Sequence, residues 1–193
     1  IQEGPGPGTF HVIYPLPRTP LVSIVIPTRD QLPFLSRCID SLLSTTNYPA
    51  FEILVVDNDS QTPEARTFLA GLVALDTDQI RVLSVPGPFN FSRMNNLAVA
   101  QARGEFILLL NNDTAALQAD WLSHMVRHAL RDGVGIVGAR LLYPDGKVQH
   151  AGVIMGMHGP AEHPCLGLNN TAPGYMFRAQ LTQNFSAVTA ACL

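Results

Sequence analysis

Four short apolar runs, each leaving through a polar turn into a segment of helix length, constrain this chain more than any other feature. They are Leu21-Val-Ser-Ile-Val-Ile26, Glu52-Ile-Leu-Val-Val56, Ile80-Arg-Val-Leu-Ser-Val85 and Phe106-Ile-Leu-Leu-Leu110. Runs that are apolar at nearly every position, rather than at every second one, suit strands buried on both faces. Between and after them, apolar residues recur at helical spacing. Leu32, Leu35, Ile39, Leu42 and Leu43 mark a first helix that Asp30 can cap. Thr62-Pro63 opens a second helix through about Leu75, Phe91 to Ala102 forms a third, and Ala119 to Arg131 a fourth. Val134-Gly-Ile-Val-Gly138 reads as a fifth strand. This alternation predicts an α/β fold, a Rossmann-like, mostly parallel sheet sandwiched by helices. After residue 140 the rhythm changes: Tyr143-Pro-Asp-Gly146 is a turn between short strands, and 156–175 is rich in Gly, Pro and Asn.

Residues 1–20 hold eight Gly or Pro, including Gly4-Pro-Gly-Pro-Gly8, and are expected to form a linker or extended lead-in. That leaves 21–193 as one domain. The chain opens at Ile1 and stops inside the apolar run ending at Leu193, so the domain is expected to be incomplete at its C-terminus.

Composition narrows the function classes. Charged residues make up 14% of 193 residues, against about 25% in an average soluble chain, which argues against disorder. With 12 Lys+Arg against 15 Asp+Glu there is no basic excess to neutralise nucleic-acid phosphates. No apolar run approaches the ~20 residues of a membrane span. Cys38, Cys165 and Cys192 show no paired spacing, which favours a reduced, cytoplasmic setting.

In an open parallel sheet, ligands bind beyond the C-terminal ends of the strands. Three of those ends carry carboxylates in short polar turns: Pro27-Thr-Arg-Asp30, Asp57-Asn-Asp-Ser60 and Asn111-Asn-Asp-Thr114. One such Asp is ordinarily a cap or turn residue; three at one sheet edge suggest a ligand site. A P-loop, a nucleophile elbow and a His-Glu-x-x-His zinc site are all missing from the sequence. The Gly-rich stretch at 4–8 precedes the first strand, so it is no dinucleotide fingerprint.

Val22-Ser-Ile-Val-Ile-Pro-Thr28, Glu52 to Ser60, and Gly104-Glu-Phe-Ile-Leu-Leu-Leu-Asn-Asn-Asp113 together resemble family 2 glycosyltransferases of the GT-A fold, over roughly residues 20–193. Gln149-His-Ala-Gly-Val153 and Ser186-Ala-Val-Thr-Ala-Ala-Cys192 resemble a bacterial branch acting in surface-polysaccharide and rhamnan-type synthesis. The resemblance implies that Asp57 accepts a hydrogen bond from a pyrimidine ring N–H, with Pro27, Thr28 and Arg29 alongside base and ribose. The family signature after the fourth strand is Asp-x-Asp, binding a divalent cation that bridges the diphosphate. Here it reads Asn111-Asn112-Asp113, so an amide replaces one carboxylate. Asp113 and Asn111 remain oxygen ligands for Mg²⁺ or Mn²⁺, with Asn112 beside the nucleotide, and weak metal binding without nucleotide is expected. The alternative is a turn that caps the next helix.

Arg93 and Asn96 open the third helix, where a helix N-terminus and a guanidinium suit a phosphate. A solvated Arg with Asn caps is the competing reading, and Arg29 faces the same choice. Asp59 can simply stabilise its own turn. His150, His158, His163 and Cys165 crowd a Gly-rich segment, yet their spacing matches no familiar zinc pattern. The resemblance places this segment where relatives shape the donor-sugar and acceptor pocket. Trp121, beside Leu122 and Met125, fits core packing better than a sugar platform.

The function expected is inverting transfer of a sugar from a UDP- or dTDP-sugar to a hydroxyl of a glycan or lipid-linked glycan. It is metal-assisted and cytoplasmic, with peripheral association at the inner membrane face where the acceptor is lipid-linked. The base that relatives carry on a segment after 186–192 is not in this chain; Glu162 and Asp145 lie nearest and neither matches, so no catalytic residue is assigned. The rival is a nucleotide-sugar-binding module without turnover. A nucleotidyltransferase would want a Gly-rich loop after the first strand, and Pro27-Thr-Arg-Asp-Gln-Leu-Pro33 has no Gly.

Overall fold

The computed structural model describes residues 1–157 and 159–193. In chain order the strands and helices are β1 (Gln2–Glu3), β2 (Phe10–His11), β3 (Val22–Thr28), α1 (Leu32–Thr45), β4 (Phe51–Asp57), α2 (Pro63–Ala74), β5 (Ile80–Ser84), α3 (Phe91–Val99), β6 (Phe106–Leu109), α4 (Trp121–Ala129), β7 (Leu141–Leu142), β8 (Val148–His150), β9 (Ile154–Met155) and β10 (Ala161–Glu162). They fall into two compact units, 17–124 with Cys192, and 1–16 with 125–191 and Leu193.

The first unit holds a four-stranded, all-parallel sheet in the order β5-β4-β3-β6. The central strands β3 and β4 are the most deeply buried, and Ile24, Val25, Ile26, Ile53, Val55 and Val56 have no exposed surface. Leu35, Cys38, Ile39 and Leu42 of α1 supply one buried helical stripe, while Ala65, Leu69 and Leu72 of α2 supply another. Met94 and Ala98 of α3 pack with Val25, Leu54, Val56 and Val85.

The N-terminal end of the sheet is held by one buried carboxylate. Glu52 accepts hydrogen bonds from Ser23 Oγ (2.6 Å), Arg103 N (2.8 Å), Arg103 Nε (2.9 Å) and Arg81 Nη2 (3.0 Å). Burial alone would raise its pKa; the bonds from Ser23, Arg103 and Arg81 outweigh that and hold it below the ordinary value. Ser23 Oγ also accepts the N–H of Gly104 at 2.8 Å. A Cβ at Gly104 would lie 2.5 Å from Ser23 N and 2.8 Å from Leu21 O, so only glycine admits this approach.

In the other unit, β1 and β2 pair antiparallel around the Gly4–Gly8 stretch. Tyr14 is held by Arg127 Nη1 on its carbonyl (2.6 Å) and by Arg131, whose guanidinium carbon lies 4.1 Å from the ring centroid. β7 pairs with β8 across the expected turn, where Tyr143 N donates to Lys147 O (2.7 Å) and Gly146 adopts φ +80°. Val148, Cys165 and Ala179 form its small core.

Three expectations are corrected. Residues 134–138 form no strand: Gly133 turns the chain at φ +79°, and Ile136 is 67% exposed, so the run is not covered on both faces as a central strand would be. Helices α3 and α4 end at Val99 and Ala129 and α4 begins at Trp121, shorter than their apolar spacing suggests. Asp30 does not cap α1. Gln31 occupies that position without a side-chain bond, and Asp30 serves the start of α2 instead. Trp121 is half-buried, its Nε1–H donating to Thr46 Oγ1 at 2.9 Å. No helix among the described residues is long and apolar enough to cross a membrane.

Candidate donor-binding site

The carboxyl ends of β3, β4 and β6 lie side by side, and the chain reverses direction across the sheet between β3 and β6, where open α/β sheets bind ligands. Thr28, the last residue of β3, is paired in register with Asp57, the last of β4. Its carbonyl accepts the N–H of Asn58 at 2.9 Å, and its hydroxyl accepts Asn112 Nδ2 at 3.0 Å. One buried threonine therefore joins all three turns.

A second link runs through Ser60, which is buried. Its hydroxyl donates to Asp57 Oδ1 (2.5 Å) and accepts the N–H of Asp30 (3.0 Å), while its own N–H donates to Asp57 Oδ1 (3.1 Å). Asp30, with φ +56°, turns its carboxylate onto the N–H groups of Thr62 (2.8 Å) and Gln61 (2.5 Å). Those bonds, Thr62 first, hold its pKa below the ordinary value. The Asp30 carboxylate is thus spent on donors at the start of α2, whereas the half-buried Asp57 takes its bonds from Ser60 alone among the described residues, mainly through Oδ1, with Oδ2 only 3.4 Å from Ser60 N as a long contact. Asp59 adopts φ +60° within its turn and its carbonyl accepts Gln61 Nε2 (2.9 Å), matching a local role.

Asn58 extends the framework toward β5. Its Nδ2 donates to Val85 O (2.9 Å) and Gly87 O (3.1 Å), and its buried Oδ1 has no partner among the described residues. The loop it holds leads to Asn90, which caps α3 by accepting the N–H of Arg93 (2.8 Å). Arg93 is exposed and reaches Pro86 O at 3.3 Å; Asn96 is exposed one turn on. Arg29 is half-exposed and only 4.0 Å from Asp30, a distance at which the pair is weak. Pro27 is half-buried.

After β6, the Asn111 carbonyl accepts Thr114 Oγ1 at 2.6 Å, closing a tight turn over Cys38, whose thiol burial pushes up to about 11. Arg37 Nη2 reaches the Asp113 carbonyl at 3.4 Å. The exposed Asp113 carboxylate has no hydrogen-bond partner among the described residues, so both oxygens are open to a ligand. One carboxylate and one amide oxygen are hard donors that fit Mg²⁺ or Mn²⁺. No group of three or more His, Cys, Asp or Glu that could hold a metal ion gathers among the described residues, so a cation here would take the rest of its shell from water or from a ligand.

The structure therefore gathers Pro27, Thr28, Arg29, Asp57, Asn111, Asn112 and Asp113 at three neighbouring strand ends, while Arg93 and Asn96 stand on a helix tied to them through Asn58. Sequence reasoning missed Ser60 and Asn58 as builders of the site. The Asp-x-x-Ser spacing was the available signal, since an Asp commonly bonds the backbone a few residues on. His150 and His163 belong to the other unit, Nδ1 to Nδ1 at 2.9 Å, and His158 lies outside the described residues.

Comparison with known proteins agrees with this fold. The model of the family described as Glycosyl transferase family 2 matches residues 23–185. An uncharacterized protein of Sinorhizobium fredii is 48% identical over the whole chain, and the O-antigen biosynthesis protein RfbC of Myxococcus xanthus is 42% identical over 98% of it. The chain spans 21% and 15% of the lengths of these two relatives. The fold is shared with a mannosyltransferase from Pyrobaculum calidifontis solved with GDP-Man and Mn²⁺ (TM-score 0.61, 20% identity, covering 72% of this chain and 40% of that one). It is also shared with GalNAc-T7 solved with UDP, GalNAc and Mn²⁺ (TM-score 0.52, 18% identity, covering 60% of this chain and 22% of that one). The sheet is that of the GT-A glycosyltransferases, and the chain belongs to glycosyl transferase family 2.

Proposed function

We propose that this chain is the donor-binding part of a glycosyltransferase that takes a sugar from a UDP- or dTDP-sugar and places it on a hydroxyl of a cell-surface glycan. The observation that carries the reading is the joining of three strand-end turns through Thr28 and Ser60, which holds Asp57 mainly by Oδ1 and leaves the Asp113 carboxylate without a partner among the described residues. Asp57 accepts the ring N–H of the pyrimidine, Pro27, Thr28 and Arg29 line base and ribose, and Asn112, Arg93 and Asn96 face the phosphates. Asp113 and Asn111 would hold the divalent cation, which when bound neutralises charge on the leaving diphosphate. Mn²⁺ in both structural relatives supports that cofactor, and their nucleotide sugars support the donor class.

Transfer is inverting. The acceptor oxygen bonds to the anomeric carbon from the face opposite the diphosphate, whose oxygen leaves with the bonding electrons, and the acceptor proton passes to a base that this chain's assigned residues do not include. The name of the Myxococcus relative, an O-antigen biosynthesis protein, supports a surface-glycan acceptor. Three free, buried cysteines support a cytoplasmic setting, with peripheral contact at the inner membrane face where the acceptor is lipid-linked.

The amide at Asn111 favours a second reading, a nucleotide-sugar-binding module without turnover. A thermal-shift series with UDP, dTDP and GDP, each with and without Mn²⁺, tests the shared core of both readings. Stabilisation by a pyrimidine nucleotide that requires Mn²⁺ is expected; no shift with any nucleotide contradicts both.

A further inference from the structure

The unit made of 1–16, 125–191 and Leu193 contains a cavity of about 250 Å³. Tyr143, Gln149, His163 and Thr189 give it polar groups; Leu141, Leu166 and Ala191 give it apolar ones. His150, also at the wall, is only 2% exposed, and its ring meets that of His163 edge-on with centroids 5.0 Å apart.

The hydrogen bonds assign the protons on both rings. His150 Nε2 accepts two backbone N–H groups, Gly152 at 3.3 Å and Thr189 at 3.4 Å, so that nitrogen carries no proton. A neutral His150 then carries its proton on Nδ1, which donates to His163 Nδ1 at 2.9 Å. Burial first, and the neighbouring His163 second, keep His150 neutral, with its pKa pushed down to about 4. His163 Nδ1 is therefore an acceptor and the His163 proton sits on Nε2. No acceptor for that Nε2–H is present among the described residues, which leaves it as a donor for whatever enters the cavity.

The wall also restricts the ligand. It carries no Lys, Arg, Asp or Glu, so a phosphate or carboxylate would enter without a counter-charge. An amide, a phenol, a hydroxyl and a fixed imidazole N–H, interleaved with Leu and Ala, suit hydroxyls around an apolar C–H face. The volume lies below the ~300–1,000 Å³ usual for drug-sized ligands, room for one ring rather than a nucleotide.

We propose that this cavity binds one uncharged sugar ring, with His163 Nε2–H donating to a sugar oxygen and His150 acting as the positioning residue that fixes His163 in that tautomer. The ligand class rests on the glycosyl-transfer reading; the two tautomers do not.

Long-range ¹H–¹⁵N spectra of the 193-residue chain at neutral pH read the tautomers directly, with the Nδ1–H form expected for His150 and the Nε2–H form for His163. The opposite form at His163 overturns the proposal. Saturation-transfer spectra with millimolar L-rhamnose, D-galactose and D-glucose then compare wild type, His163→Ala, His150→Leu and His150→Asn, while titration with UDP and Mn²⁺ reports the donor site. At least one sugar should saturate with wild type and bind roughly tenfold more weakly to His163→Ala, about the worth of one hydrogen bond. His150→Leu should weaken it similarly, whereas His150→Asn, whose amide N–H can replace Nδ1–H, should retain it. UDP affinity should be equal in all four, which also shows that they fold. Equal sugar signals in wild type and His163→Ala, or no sugar signal while UDP binds, overturn the cavity proposal and leave the donor reading standing. Sugar binding without UDP binding does the reverse.

Discussion

Ser60 Oγ donates to Asp57 Oδ1 at 2.5 Å, and the same hydroxyl accepts the N–H of Asp30, so the turn after β3 and the carboxylate at the end of β4 share one buried atom. The orientation of Asp57 toward a ligand is a property of that link rather than of Asp57 alone. Ser60→Ala removes the donor and orphans the Asp30 N–H. A loss of about 1–2 kcal/mol is expected in urea unfolding, together with weaker nucleotide binding than that stability change alone would produce. Unchanged nucleotide affinity would mean that the link does not orient Asp57.

Glu52 supplies the opposite case, a carboxylate with a structural duty at the far end of the sheet. Its folded pKa is lowered, so its contribution is complete above the ordinary value of 4.5 and is lost as pH falls through the lower folded value. Glu52→Gln should cost about 3 kcal/mol, the low end for a broken buried pair because Arg81 and Arg103 are partly exposed. Urea midpoints from pH 7 to pH 3 should show the acid-side fall in wild type and a shallower one in the variant, with nucleotide binding at pH 7 intact.

Protonation of His150 acts in a different window. A folded pKa near 4 against 6.5 unfolded means that its contribution is full above 6.5 and is lost progressively as pH falls toward 4. The expected loss is on the order of 3 kcal/mol. His150→Asn should flatten that part of the stability profile without touching the part below about pH 4, which belongs to Glu52. An identical profile in the variant would contradict the assignment.

Gly104→Ala tests the close approach of the β6 lead-in to β3. The added Cβ meets backbone atoms of Ser23 and Leu21, which cannot rotate away, so a cost of roughly 2 kcal/mol or more is expected. A thermal midpoint within a degree of wild type would show that the backbone relaxes freely there.

The parallel sheet was legible because a strand covered on both faces must be apolar through its middle, and Ile24–Ile26 of β3 and Ile53–Val56 of β4 are. The Val134–Gly138 run carries Val and Ile in a similar density, but Gly133 turns the chain and Ile136 stays exposed. Apolar content alone does not distinguish those outcomes. The candidate site was legible to the level of which turns carry carboxylates. Asp30 illustrates the limit: a residue just before a helix reads as its cap, and only the folded chain brings the N–H groups of Gln61 and Thr62, over thirty positions away, within its reach. The pairing of His150 with His163 escaped notice for the same reason, since β8 and the residue after β10 meet only once the loops between them close.

The most direct test of the donor site is calorimetric titration of UDP and dTDP into the chain, with and without Mn²⁺, comparing wild type with Asp57→Ala and Asp113→Ala. Pyrimidine-nucleotide binding should be strong only with Mn²⁺. Asp57→Ala should weaken it roughly tenfold in both conditions, and Asp113→Ala should abolish the Mn²⁺ enhancement while leaving metal-free binding unchanged. Nucleotide binding equal in all three proteins would place the ligand elsewhere and contradict the assignment of the three strand ends.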